Sequence, residues 1–313
     1  MQSKRQIEQL LLSAGVRPNK RFGQHFLIDL NLMRMLIDAA DIKKNDVVLE
    51  VGCGTGSLTE AITEKAGFCV AVEIDAVLAH IAKTQLAERS NLEIIAADVL
   101  KNKFEINPVV IDALNRAVAR ASSPCLHGQD GRAKGRILLV GNLPYAAATP
   151  LMLNFVSRAS CPRNHNPVVD AMFVTVQKEV ADRMSAGLGS KDYGILSILL
   201  SATGDIKHIR TLKPTVFWPQ PQVDSAMISY IRKPEKIKQV KNIETLSIIA
   251  GGLLQHRRKM LKSCCKLMKI ESGEIDNWPE IFAKCGVNPN DRPDQLTPEQ
   301  FVSLANLCSH RDI

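Results

Sequence analysis

Three features of the chain bring together residue types that can do chemistry. The first is the run Val47 to Val51 followed by Gly52-Cys53-Gly54-Thr55-Gly56, an aliphatic stretch that carries one acid, Glu50, and ends in alternating glycines. Glycines at the end of a strand let the backbone turn sharply and let a ligand lie against it with no Cβ in the way. The second is a pair of acids, Glu73 and Asp98, each closing a later aliphatic run. At the ends of neighbouring parallel strands, Glu73 can accept both ribose hydroxyl hydrogens and Asp98 can take the amino group of an adenine. The third is Gly141-Asn142-Leu143-Pro144-Tyr145, again at the end of an aliphatic run.

A Gly-rich strand-to-helix turn alone fits either a dinucleotide or S-adenosylmethionine (SAM). A dinucleotide brings a pyrophosphate, which wants helix N–H groups and no extra acids nearby; SAM brings a sulfonium and an ammonium and no phosphate. Glu50, Glu73 and Asp98 at three successive strand ends favour SAM. The spacing Gly52-x-Gly54-x-Gly56 also lacks the third-glycine placement of the dinucleotide fingerprint.

Asn142 to Tyr145 suits the N6 of an adenine, whose lone pair is delocalised into the ring and must be drawn out of plane. The side-chain carbonyl of Asn142 and the main-chain carbonyl of Leu143 can accept its two N–H bonds and favour a tetrahedral nitrogen. Pro144 keeps the turn rigid, and Tyr145 offers a π face for a base taken out of its stack.

These residues need a sheet to bring them together. Aliphatic runs at Val47–Val51, Phe68–Ile74, Leu92–Ala96, Ile137–Gly141 and Ala171–Val176, separated by amphipathic stretches, predict a mostly parallel sheet with helices on both faces. Two more runs, Ile195–Ala202 and Ala226–Ile231, read as a terminal hairpin. Ser3–Ala14 predicts a short helix opening an arm, residues 1–30, and Pro108–Gly135 reads as a surface insertion in a domain spanning 31–234. After Pro234 only helical patterns remain, over Ile243–Lys269, Trp278–Cys285 and Pro298–Leu307, so residues 235–313 form a smaller helical domain.

Charge is unevenly placed in this chain of 313 residues and net charge +8. Between Arg232 and Lys269 eleven Lys or Arg face two acids, which leaves 29 of the 40 basic and 30 of the 32 acidic residues elsewhere. A near-neutral body with a basic C-terminal segment suits a polyanion, and Arg257, Arg258, Lys259, Lys262, Lys266 and Lys269 are the candidate phosphate contacts. In one continuous helix Arg258, Lys262, Lys266 and Lys269 would share a stripe, with Leu254, Leu261, Cys265 and Met268 as the docking face. The eight cysteines show no C-x-x-C pair and the seven histidines are dispersed, so reduced thiols and no metal are expected. Thr245–Leu254 is too short to span a bilayer, and the start Met1-Gln2-Ser3-Lys4-Arg5 has no apolar core for a secretory signal; a cytoplasmic location is expected.

Taken together, Arg21 to Leu27, Glu50 to Gly56, Asn142 to Tyr145, Gln177 to Val180, Ser190 to Gly194, Phe217 to Ala226, His256 to Lys259 and the tail Arg292 to Leu296 resemble the ribosomal RNA adenine dimethyltransferase family, on its small-subunit branch. The resemblance implies a Rossmann-like SAM-dependent methyltransferase sheet with a C-terminal helical domain. It also implies dimethylation of two adjacent adenosines near the 3′ end of small-subunit rRNA, on an immature small ribosomal subunit, by a monomer. Carried over by position, the SAM contacts fall on His25, Leu27, Gly52, Glu73, Asp98 and Asn142, and Tyr145 and Phe217 sandwich the target base. His25 stands where many members have Asn, and the segment from Pro108 to Gly135 is longer than usual. Two other readings stay open on the sequence: a relative that keeps the RNA surface but not catalysis, and a nicotinamide-dependent oxidoreductase.

Overall fold

The computed structural model describes residues 1–19, 22–121, 135–157, 167–268 and 277–308. Helix α1 (Lys4–Ser13), strand β1 (Phe26–Leu27) and helix α2 (Leu30–Ala40) precede the alternating core: β2 (Val47–Val51), α3 (Ser57–Lys65), β3 (Phe68–Glu73), α4 (Ala76–Gln85) and β4 (Leu92–Ala96). A small antiparallel pair, β5 (Leu100–Asn102) and β6 (Glu105–Ile106), leads to α5 (Pro108–Ala121) and β7 (Ile137–Asn142). Then come α6 (Tyr145–Ser157), β8 (Ala171–Gln177), α7 (Lys178–Met184), α8 (Ile195–Thr203), β9 (Gly204–Leu212), β10 (Phe217–Trp218) and β11 (Ser225–Arg232). The remainder is helical, with α9 (Pro234–Ile237), α10 (Ile243–Leu254), α11 (Leu261–Leu267), α12 (Trp278–Lys284) and α13 (Pro298–Cys308).

Seven strands make one sheet in the order β4-β3-β2-β7-β8-β11-β9, and the pairs from β4 to β8 are parallel. Every residue of β2 and β3 is buried, as strands covered by helices on both faces must be. From β2 the chain winds outward through β3 to β4, then returns to the other side of β2 as β7. Strand order therefore reverses between β2 and β7, and ligands of such sheets bind outside the carboxyl ends at that reversal. The register pairs Leu49 with Leu139, which brings the turn after Val51 beside Asn142. The helices around this edge are capped by the chain's own acids: Asp29 accepts from Asn31 and Leu32 N–H at the start of α2, and Asp75 from Val77 and Leu78 N–H at the start of α4.

The fold departs from the sequence reading in four places. Ile195–Ala202, expected as a strand, is helix α8, and β9 takes the place beside β11 instead. Almost every residue of α8 is buried, so its apolar run carries no period that tells helix from strand. Helix α5, expected in a surface insertion, buries Val110, Ala113, Leu114 and Ala117 and packs on β2 and β3 as one of the sheet's own covering helices. The polar residues after it, 122–134, lie outside the described residues. The helix expected over Ile243–Lys269 stops at Leu254 and restarts at Leu261, where the amides of Leu261 and Lys262 bond to the carbonyls of Asp291 and Pro289. Finally, among the described residues one compact unit takes Met1–Asn154, 167–181 and His208–Ser229, and the other takes 155–157, Asp182–Lys207 and the chain from Tyr230 onward. The second unit claims Asp182–Lys207 because α8 packs on α10 and α13, a boundary the expected break at 234 did not foresee. Among the described residues no helix is long and apolar enough to cross a membrane.

Candidate functional site

At the end of β2 the backbone turns through Gly52 and Gly54 with φ of 78° and 58°, a region that side chains with a Cβ rarely adopt. A Cβ would be crowded there as well: at Gly52 it would stand 3.0 Å from Pro144 Cγ, and at Gly54 2.9 Å from Phe26 Cε1. The turn is thus packed between the Asn142–Tyr145 segment and the N-terminal arm. Glu73, 4% exposed, holds it from beneath: its Oε2 accepts the N–H of Gly54 at 2.8 Å and its Oε1 that of Asp75 at 3.0 Å. Burial raises the Glu73 carboxyl above the usual range, and these two bonds oppose that rise. Each oxygen keeps a second lone pair, so the carboxylate that shapes the turn can also accept from a ligand.

Glu50 lies one strand inward, 2% exposed, and its Oε2 has no hydrogen-bond partner among the described residues. Burial pushes its carboxyl up to about 8. Asn142 shows a matching feature. Its Nδ2 donates to the main-chain carbonyl of His25 at 2.9 Å, while its Oδ1 is buried without a partner among the described residues. Unpaired buried acceptors are costly, and two of them in the walls of one cavity mark where a ligand's donors or cationic centre belong.

Two cavities share the walls Phe22, Gly52, Ile74, Pro144 and Tyr145. The smaller, about 90 Å³, is lined by His25, Leu27, Glu50, Glu73, Asn142 and Leu143 among others. The larger, about 370 Å³, is lined by Ile74, Asp98, Val99, Pro144 and Tyr145 among others. The acid-lined space fits a cationic, hydroxyl-bearing ligand such as SAM, and it offers a pyrophosphate carboxylates instead of donors. Asp98 is exposed at the rim, where its Oδ1 accepts the N–H of Leu100 at 2.9 Å.

The arm reaches the Asn142–Tyr145 segment through His25. Its ring stacks on Tyr145 with centroids 5.7 Å apart and an interplanar angle of 28°, and its Nδ1 lies 2.7 Å from the carbonyl of Pro219. The Tyr145 hydroxyl bonds to Ser225 Oγ at 2.9 Å. Strand β1 fastens the arm by pairing Phe26 with Trp218 and Leu27 with Phe217. That pairing overturns the expected sandwich: Phe217 is 1% exposed in the apolar core behind Leu27 and lines neither cavity, and the ring against Tyr145 is that of His25. Gln2 and Ile7 stand at the site or its supporting turn, and no local pattern in the sequence marks them.

The basic segment divides. Arg257 donates from Nη1 to the carbonyl of Lys191 at 2.9 Å and from Nη2 to that of Ser190 at 3.3 Å, and pairs with Asp294 at 3.5 Å. It is a structural crosslink, which corrects its expected phosphate role. Arg258 and Lys259 are exposed in the turn after α10, and Lys262 and Lys266 are exposed on α11. Because the helix is broken, Arg258 does not share a stripe with them. Lys269 lies outside the described residues. Of the apolar stripe, Leu261 and Cys265 are buried and Met268 packs over Gly252.

A family model described as ribosomal RNA adenine dimethylase matches residues 15–310. A protein of Streptomyces coelicolor named ribosomal RNA small subunit methyltransferase A is 32% identical over 299 residues, covering 96% of this chain and 94% of its own. One of the same name from Alkaliphilus metalliredigens is 33% identical over 299 residues, covering 94% and 93%. The crystal structure of a dimethyladenosine transferase from Plasmodium falciparum superposes with a TM-score of 0.68 at 21% identity, over 91% of this chain and 98% of that one, and shares the fold. With the cofactor turn, the adjoining Asn142 motif and the full-length matches in agreement, the chain belongs to the ribosomal RNA adenine dimethylase family.

Proposed function

We infer that the chain is a SAM-dependent enzyme that dimethylates the N6 of two adjacent adenosines near the 3′ end of small-subunit rRNA. It works in the cytoplasm, as a monomer, on the immature small subunit. The observation that carries the reading is Asn142, whose amide is fixed by the His25 carbonyl so that Oδ1 stays buried and unpartnered in a cavity shared with Glu50 and Glu73.

When bound, SAM supplies a methyl group on a positively charged sulfur. Glu73 would hold the ribose hydroxyls, Asp98 the cofactor's adenine, and the Glu50 carboxylate would face the cationic end. The turn at Gly52 lets the ligand approach the backbone, and His25 and Leu27 close the space from the arm. Asn142 Oδ1 would accept one N–H of the target amine and the Leu143 carbonyl the other, which would favour a tetrahedral nitrogen with its lone pair free of the ring. Pro144 stiffens this turn. His25 covers one face of Tyr145, and the opposite face takes the flipped base. Arg258, Lys259, Lys262 and Lys266 neutralise RNA phosphates, and Lys269 belongs with them by sequence. Unmethylated small subunits incubated with labelled SAM should gain label on two neighbouring adenosines, mapped by mass spectrometry; label elsewhere, or none, refutes the assignment.

A further inference from the structure

The outer side of the cofactor turn is held by a residue far from it in sequence. Gln2 donates its backbone N–H to Ser57 Oγ at 2.7 Å and its Nε2 to the carbonyl of Thr55 at 3.1 Å. In return Thr55 Oγ1 donates to Gln2 Oε1 at 2.6 Å, so both ends of one amide are engaged by one residue. Thr55 lies between Gly54 and Gly56, both with positive φ, and is itself 1% exposed. Glu73 grips this turn at the Gly54 N–H. The turn is therefore clamped on both sides of Thr55, by a carboxylate from β3 and by an amide from the start of the chain.

The segment that carries Gln2 is anchored independently. Ile7 and Leu11 of α1 are buried against Leu78 and Ile81 of α4, and Ile7 also lines the cavity that holds Glu50 and Glu73. The family match begins at residue 15, so Gln2 lies outside the matched region and its partner Thr55 inside it. Glycines give a turn the shape a ligand needs but also the freedom to lose it, and an external clamp lowers the cost of ordering the turn when the ligand arrives. We infer that Gln2 is a positioning residue for SAM binding, holding the Gly54–Gly56 turn in its binding shape through Thr55. The inference rests on the reading of this cavity as the SAM site.

The test measures SAM affinity by calorimetry, and methyl transfer in a single turnover at saturating SAM, for the full chain and for Gln2→Ala, Gln2→Met, Thr55→Val and the Gln2→Ala/Thr55→Val pair. Gln2→Met keeps the length and bulk of the side chain without its amide. With two neutral hydrogen bonds lost, Gln2→Ala and Gln2→Met should each weaken SAM binding by about tenfold. The rate at saturating SAM should remain within about twofold of the parent, because the residue acts on the turn and not on the reacting atoms. The double variant should bind little worse than Gln2→Ala, since the bond that Thr55→Val removes is one of the two that Gln2→Ala removes. A protein that merely lost stability would show additive losses and a lower rate. Parent-like affinity in Gln2→Met, or additive losses in the pair, overturns the inference. Failure of the parent itself to bind SAM refutes the cofactor reading instead.

Discussion

SAM binding should be coupled to the loss of a proton from Glu50. In the free protein its buried carboxyl, raised to about 8, carries a proton at pH 7 by a ratio of roughly ten to one. Burial is the main cause; the Thr59 hydroxyl opposes it and the nearby Glu73 carboxyl adds to it. A cationic ligand in the same cavity reverses the balance by stabilising the carboxylate, so binding near neutral pH should release close to one proton. Affinity should then rise by up to about tenfold per pH unit below 8 and level off above it.

The same group bears on stability, and the sign follows from the direction of the shift. A carboxyl whose folded value lies above its unfolded one contributes stability that is complete below about 4.5 and is lost as pH rises through about 8. At about 1.4 kcal/mol per pH unit, the loss for the ligand-free protein reaches at most ~5 kcal/mol at high pH. Glu50→Gln removes this term. It should melt at a higher temperature than the parent at pH 9, bind SAM more weakly, and keep a flatter affinity profile between pH 6 and 8. Calorimetry of SAM binding at pH 7 in two buffers of different ionisation enthalpy reads the proton release directly. Equal apparent enthalpies for the parent in both buffers, with affinity flat from pH 6 to 8, would refute the reasoning. Because Glu73 is also raised and faces the same cavity, the Glu50→Gln profile isolates what Glu50 itself contributes.

Three further outcomes follow from the geometry. Asn142→Ala should lower the single-turnover methyl-transfer rate at saturating SAM by about 100- to 1,000-fold with little change in RNA affinity, because the lost acceptor acts on the nitrogen as it becomes tetrahedral. Phe217→Ala should destabilise the fold by about 3 to 5 kcal/mol in denaturant titrations, as a buried ring against Leu27 would, and should not act as a pure base-capture variant. Replacing Arg258, Lys262 and Lys266 together with Gln should reduce the slope of log affinity for RNA against log salt by about 2 to 3, whereas Arg257→Gln should chiefly lower the melting temperature and leave that slope near the parent's.

What could be read from the sequence was whatever local chemistry decides. The strands β2, β3, β7 and β8 announce themselves because a strand covered on both faces reads as a short aliphatic run, and the glycines of the turn because side chains with a Cβ rarely take its backbone angles. Asn142 was legible for the same reason: its place at the end of a central strand puts it at the reversal of strand order. The misreadings share the opposite cause. Ile195–Thr203 is buried along most of its length and bounded by Gly194 and Gly204, which look like the ends of a strand; its packing partners are the helices α10 and α13. The facing of Phe217 depends on the pairing of β10 with β1, nearly two hundred residues away in the chain, and the partners of Arg257 come from the loop at Ser190 and from Asp294.

Protonation is equally non-local. Glu50 reads in the sequence as one more acid for a cation, yet burial raises its carboxyl to about 8, so the ligand-free site should carry less standing negative charge than a count of carboxylates implies. The arm acts in the same indirect way. His25, whose ring and carbonyl hold Tyr145 and Asn142, and Gln2, whose amide holds Thr55, join the catalytic motif and the cofactor turn to one N-terminal segment. Loosening the segment at His25 should therefore misplace the Asn142 amide, whereas loosening it at Gln2 should weaken cofactor binding alone, although the glycines, acids and Asn142 motif all remain intact.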